Sequence, residues 1–237
     1  MLRNIQIPST MLRTVPLPET SSRRIERSIS ELDLPPKYSL SSRLVRWIIL
    51  RVYSWKGWTL EGGFPPTRKF VIAGAPHTSN WDFVFFTGAT HHMGIRPNFM
   101  GKHTLFKWPI KRFMEDMGGI SINRTIRANY VEQVAAEFAR RDELALVIAA
   151  EGTRSADGSW KSGFYHIAIA AGVPIVPTWV CNKSMRLGFG PAIMPSGDYA
   201  ADLAKIAAYM RSVLPEEPRF KVLEAQAQRL LRGESDA

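Results

Sequence analysis

From residue 70 onward, short apolar runs alternate with segments of helical periodicity, and this alternation limits the fold more than any other feature of the chain. Runs of this length, bounded by turn residues, predict strands at 70–75 (FVIAGA), 96–101, 119–123, 144–149 and 173–180 (VPIVPTWV). Between them, Phe106, Ile110, Phe113, Met114 and Met117 recur at helical spacing and predict a helix from His103 to Met117. Val131, Val134, Ala135 and Phe138 predict another over Asn129 to Arg141, and a third spans Gly163 to Ala171. Strand–helix alternation implies an α/β fold, a mostly parallel sheet flanked by helices. Two more helices are expected at 200–213 and 220–232. With 237 residues, the chain is long enough for one sizeable core and not clearly for two.

The region before the sheet reads differently. Residues 1–40 carry five prolines (Pro8, Pro16, Pro18, Pro35, Pro36) among serines and arginines, and read as a flexible extension; a short helix over Ser22 to Leu32 is compatible with the pattern. Residues 43–56, RLVRWIILRVYSWK, predict a helix. Leu44, Val45, Ile48, Val52 and Trp55 share one broad face, with Arg43, Arg46 and Arg51 opposite and Trp47 and Leu50 among them. Two readings fit: a core-packed helix with solvated arginines, or an amphipathic helix in a membrane interface with Trp47, Trp55 and Trp58 at the boundary. The net charge of +10 favours the second, because it calls for an anionic partner. No run approaches 18 apolar residues, so no membrane span is expected. No secretory signal is visible. The single Cys181 excludes an internal disulfide and fits a reducing compartment.

Two clusters carry the chemistry. In PHTSNWD (76–82), His77 follows the first of these strands, and Thr78, Ser79 or Asn80 can cap a helix starting near Trp81. Asp82 then falls in the first helical turn, close to His77. A carboxylate beside imidazole fixes the tautomer, frees the other nitrogen to accept a proton and stabilises the imidazolium that forms. In EGTRS (151–155), Arg154 suits bidentate binding of a phosphate. The Gly152–Thr153 turn offers backbone N–H groups to an anion, and Glu151 can hold Arg154 or the turn. Lys161 and Ser162 are further anion contacts. Lys102, His103 and Arg124 end neighbouring strands. In open α/β sheets ligands bind beyond the carboxyl ends of the strands, so these cations make an electropositive crevice. With no Gly-x-Ser-x-Gly elbow, Walker A loop or dinucleotide fingerprint, a base and an anion clamp without a nucleophilic Ser or Cys suggest direct acyl transfer to a hydroxyl. His91–His92 points about 100° apart on a helix, which disfavours a metal site.

PHTSNWD, GGISINR (118–124), EGTRS and VPIVP (173–177) occur in the order and rough spacing of four blocks of the glycerolipid and lysophospholipid acyltransferases, and the chain resembles the 1-acylglycerol-3-phosphate acyltransferase-like members marked by His-x-x-x-x-Asp. The resemblance covers roughly residues 70–180. It implies that His77 is the general base and Asp82 its orienting partner. It implies that Glu151, Gly152 and Arg154 bind the acceptor phosphate and shape the site, and that Arg124 serves the same phosphate. Pro174 lies in the block linked to the acyl donor. It also implies an acyl-CoA or acyl carrier protein donor, no bound cofactor, no metal and no covalent acyl-enzyme. Pro76 before the histidine, Asn123 where Asp is common and Ala150 where Pro is common leave the acceptor open.

The expectation is therefore an O-acyltransferase of phospholipid biosynthesis, moving a fatty acyl group from a thioester to a lyso-glycerolipid, with 1-acylglycerol-3-phosphate giving phosphatidic acid as the default. Another lyso-lipid or an amino-lipid acceptor is the alternative, and a non-catalytic module on anionic membranes is the rival of a different class. Catalytic residues are His77 and Asp82; substrate-binding residues are Lys102, Arg124, Glu151, Gly152, Thr153, Arg154 and Lys161. The expected parts are an extension (1–40), an amphipathic membrane-interface helix (41–62), a catalytic domain (65–215) and a C-terminal helix (216–237). The expected setting is peripheral, on the cytoplasmic face of the inner membrane. Nucleic acid is not expected as a partner, since the cations form no single stripe.

Overall fold

The computed structural model describes residues 38–76, 81–122, 130–152 and 157–234. Residues 1–37 of the expected extension, with the helix at Ser22 to Leu32, lie outside them; its last residue, Leu40, already belongs to a helix. Helix α1 (Leu40–Lys56) is followed by β1 (Thr59–Gly62), β2 (Lys69–Ala75), α2 (Trp81–His92), β3 (Pro97–Lys102), α3 (Lys111–Asp116) and β4 (Gly119–Ile122). Then come α4 (Tyr130–Arg140), β5 (Leu144–Ala149), α5 (Gly163–Ala171), β6 (Ile175–Cys181), β7 (Arg186–Phe189), α6 (Tyr199–Val213) and α7 (Pro218–Leu231). The strands form one sheet in the order β1-β7-β6-β2-β5-β3-β4. All neighbouring pairs are parallel except β6–β7. The expected α/β class and mostly parallel sheet hold.

The central strand shows why. β2 is buried on both faces, which only a sheet covered by helices on each side provides. Because side chains alternate, Val71, Ala73 and Ala75 join one core with Phe138, Phe164, Leu203 and Phe220, drawn from α4 to α7. Phe70 and Ile72 join a second core with Tyr53 of α1 and Ala89 of α2.

Four elements depart from the sequence expectation. The helix from His103 to Met117 is instead a 3-10 turn (His103–Leu105) and the six-residue α3. Pro109 lies between them; it lacks an N–H and its ring obstructs the preceding turn. The short strands β1 and β7 have no counterpart in the sequence pattern, since four residues carry too little period to register. Thr59–Gly62 thus extends the sheet rather than the amphipathic helix. In α1, the side turned to the protein is Ser42, Ile49 and Tyr53. Leu40, Leu44, Trp47, Ile48 and Trp55 are exposed. At about 100° per residue they form one stripe opposite the buried side. Arg51 sits within that stripe, its guanidinium 5.4 Å from the Trp47 ring centre. The core-packed reading of the Leu44–Ile48–Trp55 face is therefore wrong.

Candidate active site

β2, β5, β3 and β4 are successive parallel neighbours, so their C-terminal ends open on one edge of the sheet. Register makes this concrete. Gly74 pairs with Ala149, and Phe99 with Val147. One residue further along β2 and three further along β3 bring Ala75 and Lys102 level with Ala150. Lys102 in turn pairs with Ile122. The chain segments carrying the first three sequence blocks leave the sheet from this row.

The individual candidates stand as follows. His77, Arg124, Thr153 and Arg154 lie outside the described residues; His77 comes two positions after the end of β2 and Arg124 two after the end of β4. Asp82 is the second residue of α2. Lys102 ends β3 and is exposed, as is His103 after it. Gly152 adopts φ +79, a conformation glycine tolerates and other residues resist. Its N–H donates to the Ala149 carbonyl at 3.0 Å. A side chain there would stand 3.5 Å from Cγ of Lys161, so the two ends of the EGTRS loop approach one another. The N–H of Lys161 donates to the Ala150 carbonyl at 2.8 Å and closes the loop at its stem.

Glu151 does not stand open in the crevice. It is 1% exposed, and the guanidinium of Arg219, in the first turn of α7, donates to its carboxylate. Pro174, expected near the donor, precedes β6 and stands five residues before Trp179, the β6 residue level with Ala75. At about 3.3 Å per residue that is about 16 Å from the crevice row. Among the described candidates, the structure does not bring Pro174 to Lys102, Gly152 or Lys161.

Two features of this edge were not legible in the sequence. One is a cavity of about 160 Å³ on the α1–α2 side of the sheet, lined by Gly74, Pro76, Phe86, Val147, Thr178 and Trp179 among others. It reaches the residue that precedes His77. A side chain added at Gly74 would meet nothing within 4 Å. The other is the partnership of Arg219 and Gln226 with the EGTRS loop. Residues separated by 66 to 68 positions leave no local signal of their contact. Among the described residues no group of three or more His, Cys, Asp or Glu side chains is arranged to hold a metal ion.

Comparison with known proteins agrees with the blocks. Residues 62–181 match the family model described as Acyltransferase. A 1-acyl-sn-glycerol-3-phosphate acyltransferase of Salmonella typhimurium is 32% identical over 162 residues, covering 60% of this chain and 64% of that protein. The same-named protein of Salmonella typhi matches to the same extent. The chain thus spans somewhat less than two thirds of the length of these relatives. Among solved structures, the 1-acyl-sn-glycerophosphate (LPA) acyltransferase PlsC of Thermotoga maritima aligns over 92% of this chain and 90% of its own, at 18% identity and a TM-score of 0.49.

Proposed function

We infer the reaction from one premise: the chain belongs to the acyltransferase family, whose model covers residues 62–181. The reading is an O-acyltransferase that moves a fatty acyl group from a thioester to the hydroxyl of a lyso-glycerolipid. The default acceptor is 1-acylglycerol-3-phosphate, the substrate class named for the two Salmonella relatives. The observation that carries it is the shared edge: the segments with His77, Glu151–Arg154 and Arg124 follow β2, β5 and β4, whose ends open together.

His77 takes the proton from the acceptor hydroxyl as that oxygen attacks the thioester carbonyl, and Asp82 orients the imidazole. A tetrahedral oxyanion forms and collapses; the C–S bond breaks, and His77 returns the proton to the departing thiolate. An ester and a free thiol result. Arg154, Arg124, Lys102, Lys161 and the Thr153 backbone hold the acceptor phosphate; the Gly152 N–H is engaged by the Ala149 carbonyl and instead shapes the turn. The donor is acyl-CoA or an acylated carrier protein. The apolar cavity beside Pro76 takes the part of the acyl chain nearest the carbonyl. A cavity of this size holds about one benzene ring, so roughly six carbons.

The acceptor and product are lipids, so the enzyme works at a bilayer surface. The exposed stripe of α1 supports this, with Leu44 58%, Trp47 57% and Ile48 46% exposed beside Arg51. Among the described residues no helix is long and apolar enough to cross a membrane. Residence on the cytoplasmic face is part of this proposal.

The test is His77→Ala in the full chain, assayed by thiol release and product mass with a panel of lyso-lipids and acyl thioesters. A fall in kcat of at least about 100-fold is expected, the lower range for loss of a general base. Unchanged turnover in the variant removes His77 as base. A wild type that consumes no thioester with any acceptor removes the enzymatic reading and leaves the membrane-binding module.

A further inference from the structure

We propose that α7 is a working part of the acceptor site: Arg219 and Gln226 are positioning residues that hold the two arms, 150–152 and 157–161, of the phosphate-binding loop. The proposal rests on the reading of that loop given above.

The loop is pinned to α7 on both its outgoing and returning arms. On the outgoing arm, the Arg219 guanidinium donates to Glu151, whose side chain is fully buried. On the returning arm, the Trp160 N–H donates to Gln226 Oε1 at 2.8 Å, and Gln226 Nε2 donates to the Trp160 carbonyl at 2.9 Å. Both bonds are buried, and Gln226 is 2% exposed. Between these two points Gly158, at φ +114, lies against the Arg219 backbone: a Cβ there would come within 2.7 Å of Arg219 Cα. The Trp160 ring is itself fixed, edge-on to Phe164 with centres 5.4 Å apart. Residues 151 and 160, on the two described arms, are thus both anchored to α7.

Two physical consequences follow. A cation clamp stabilises a bound phosphate only if its donors are already aimed, since ordering a loop on binding costs free energy. Tying both arms to α7, a helix of the first core, fixes the two ends from which the donors extend. The second consequence is electrostatic. Glu151 stands three residues before Arg154, the expected phosphate ligand. Left unpaired, its carboxylate would be a buried charge and would repel the ligand; the adjacent guanidinium offsets it. Arg219 therefore matters most for a doubly charged acceptor and least for the thioester donor.

The experiment uses the full chain with Arg219→Gln, Arg219→Lys and Gln226→Leu. Hydrogen exchange is read over residues 150–161, and steady-state constants are measured for 1-acylglycerol-3-phosphate, for a monoacylglycerol lacking the phosphate, and for the acyl thioester. In Arg219→Gln, exchange across the loop should rise while the sheet stays protected. The acceptor KM should rise about 10- to 100-fold, with the donor KM unchanged, and the monoacylglycerol should lose much less. Arg219→Lys should recover part of both effects. Gln226→Leu, which leaves the ion pair intact, should loosen the returning arm and raise the acceptor KM to a smaller degree. Unchanged loop exchange overturns the proposal. So does a loosened loop with an unchanged acceptor KM, or an equal loss for donor and acceptor, which marks a merely structural role. If the wild type shows no turnover at all, the functional reading fails separately, and loop exchange alone decides whether α7 holds the loop.

Discussion

At Gly74 the absence of one carbon atom keeps a cavity open. The residue lies within β2 without a positive φ, and a Cβ would enter free space. Gly74→Val should therefore fold without strain and fill part of the 160 Å³ cavity. If the cavity takes acyl carbon, kcat/KM for a long-chain thioester should drop about 10-fold relative to an acetyl thioester, the effect of a methylene or two in an apolar pocket. A ratio equal to the wild type's would show that the chain goes elsewhere. Asp202 is a different kind of residue, structural and fully buried. Burial alone would raise its carboxyl, but hydrogen bonds from Lys205, Ser196 and Tyr165 outweigh this and hold it at about 2, below its ordinary 3.8. A group depressed in the folded state stabilises it fully above the unfolded value and loses that contribution as pH falls through the folded one. The urea midpoint should fall between pH 4 and pH 2, by roughly 2 kcal/mol of stability. Asp202→Asn should lower stability at pH 7 and flatten that part of the profile. Residue types such as the histidine, the carboxylates and the loop arginine were readable from the sequence. The burial of Glu151 was not, because its partner is 68 positions away.

At the scale of elements, the length and period of a segment set how well it can be read. α4, α5, α6 and α7 fall within two residues of expectation because each spans nine to fifteen residues with a clear apolar side. Periodicity in α1 identified the helix but not the face it buries, since Trp, Ile and Leu lie all round it. The tertiary contact that selects the face is Tyr53 against Gly88 of α2, where a Cβ would overlap the Tyr53 ring. Burial also pushes the Tyr53 hydroxyl up to about 12, so it stays neutral. Gly88→Ala sets two effects against each other. Replacing a helical glycine gains about 1 kcal/mol, and overpacking costs about 1–3 kcal/mol. Because the overlap is with ring and Cβ atoms that have nowhere to move, the loss should win. A lower melting temperature, with exchange rising first in α1, is the expected outcome; a more stable variant would mean that α1 does not depend on this close approach.

For the molecule as a whole, the charge of +10 and the outward stripe of α1 bear on one expected behaviour. Replacing Leu44, Trp47 and Ile48 together by serine should remove most flotation with vesicles containing anionic lipid. It should change stability little, because substitutions on an exposed face usually do. Deleting the helix would be a poorer test, since Ile49 and Tyr53 belong to the protein side. Flotation equal to the wild type would put the membrane contact on another surface. Class and chemistry are local properties, and so they were present in the chain itself: strand and helix periods dictate an α/β layering, and the spacing within PHTSNWD and EGTRS limits which groups can act together. Which strands are neighbours is not local. Parallel pairing joins segments far apart, and only the order β2-β5-β3-β4 gives their ends a common edge. The same holds for the cavity, which exists where Gly74 of β2, Val147 of β5 and Thr178 of β6 meet, and for the α7 anchors on the EGTRS loop. Packing decides these features, because it pairs side chains by position in space and leaves no period along the sequence.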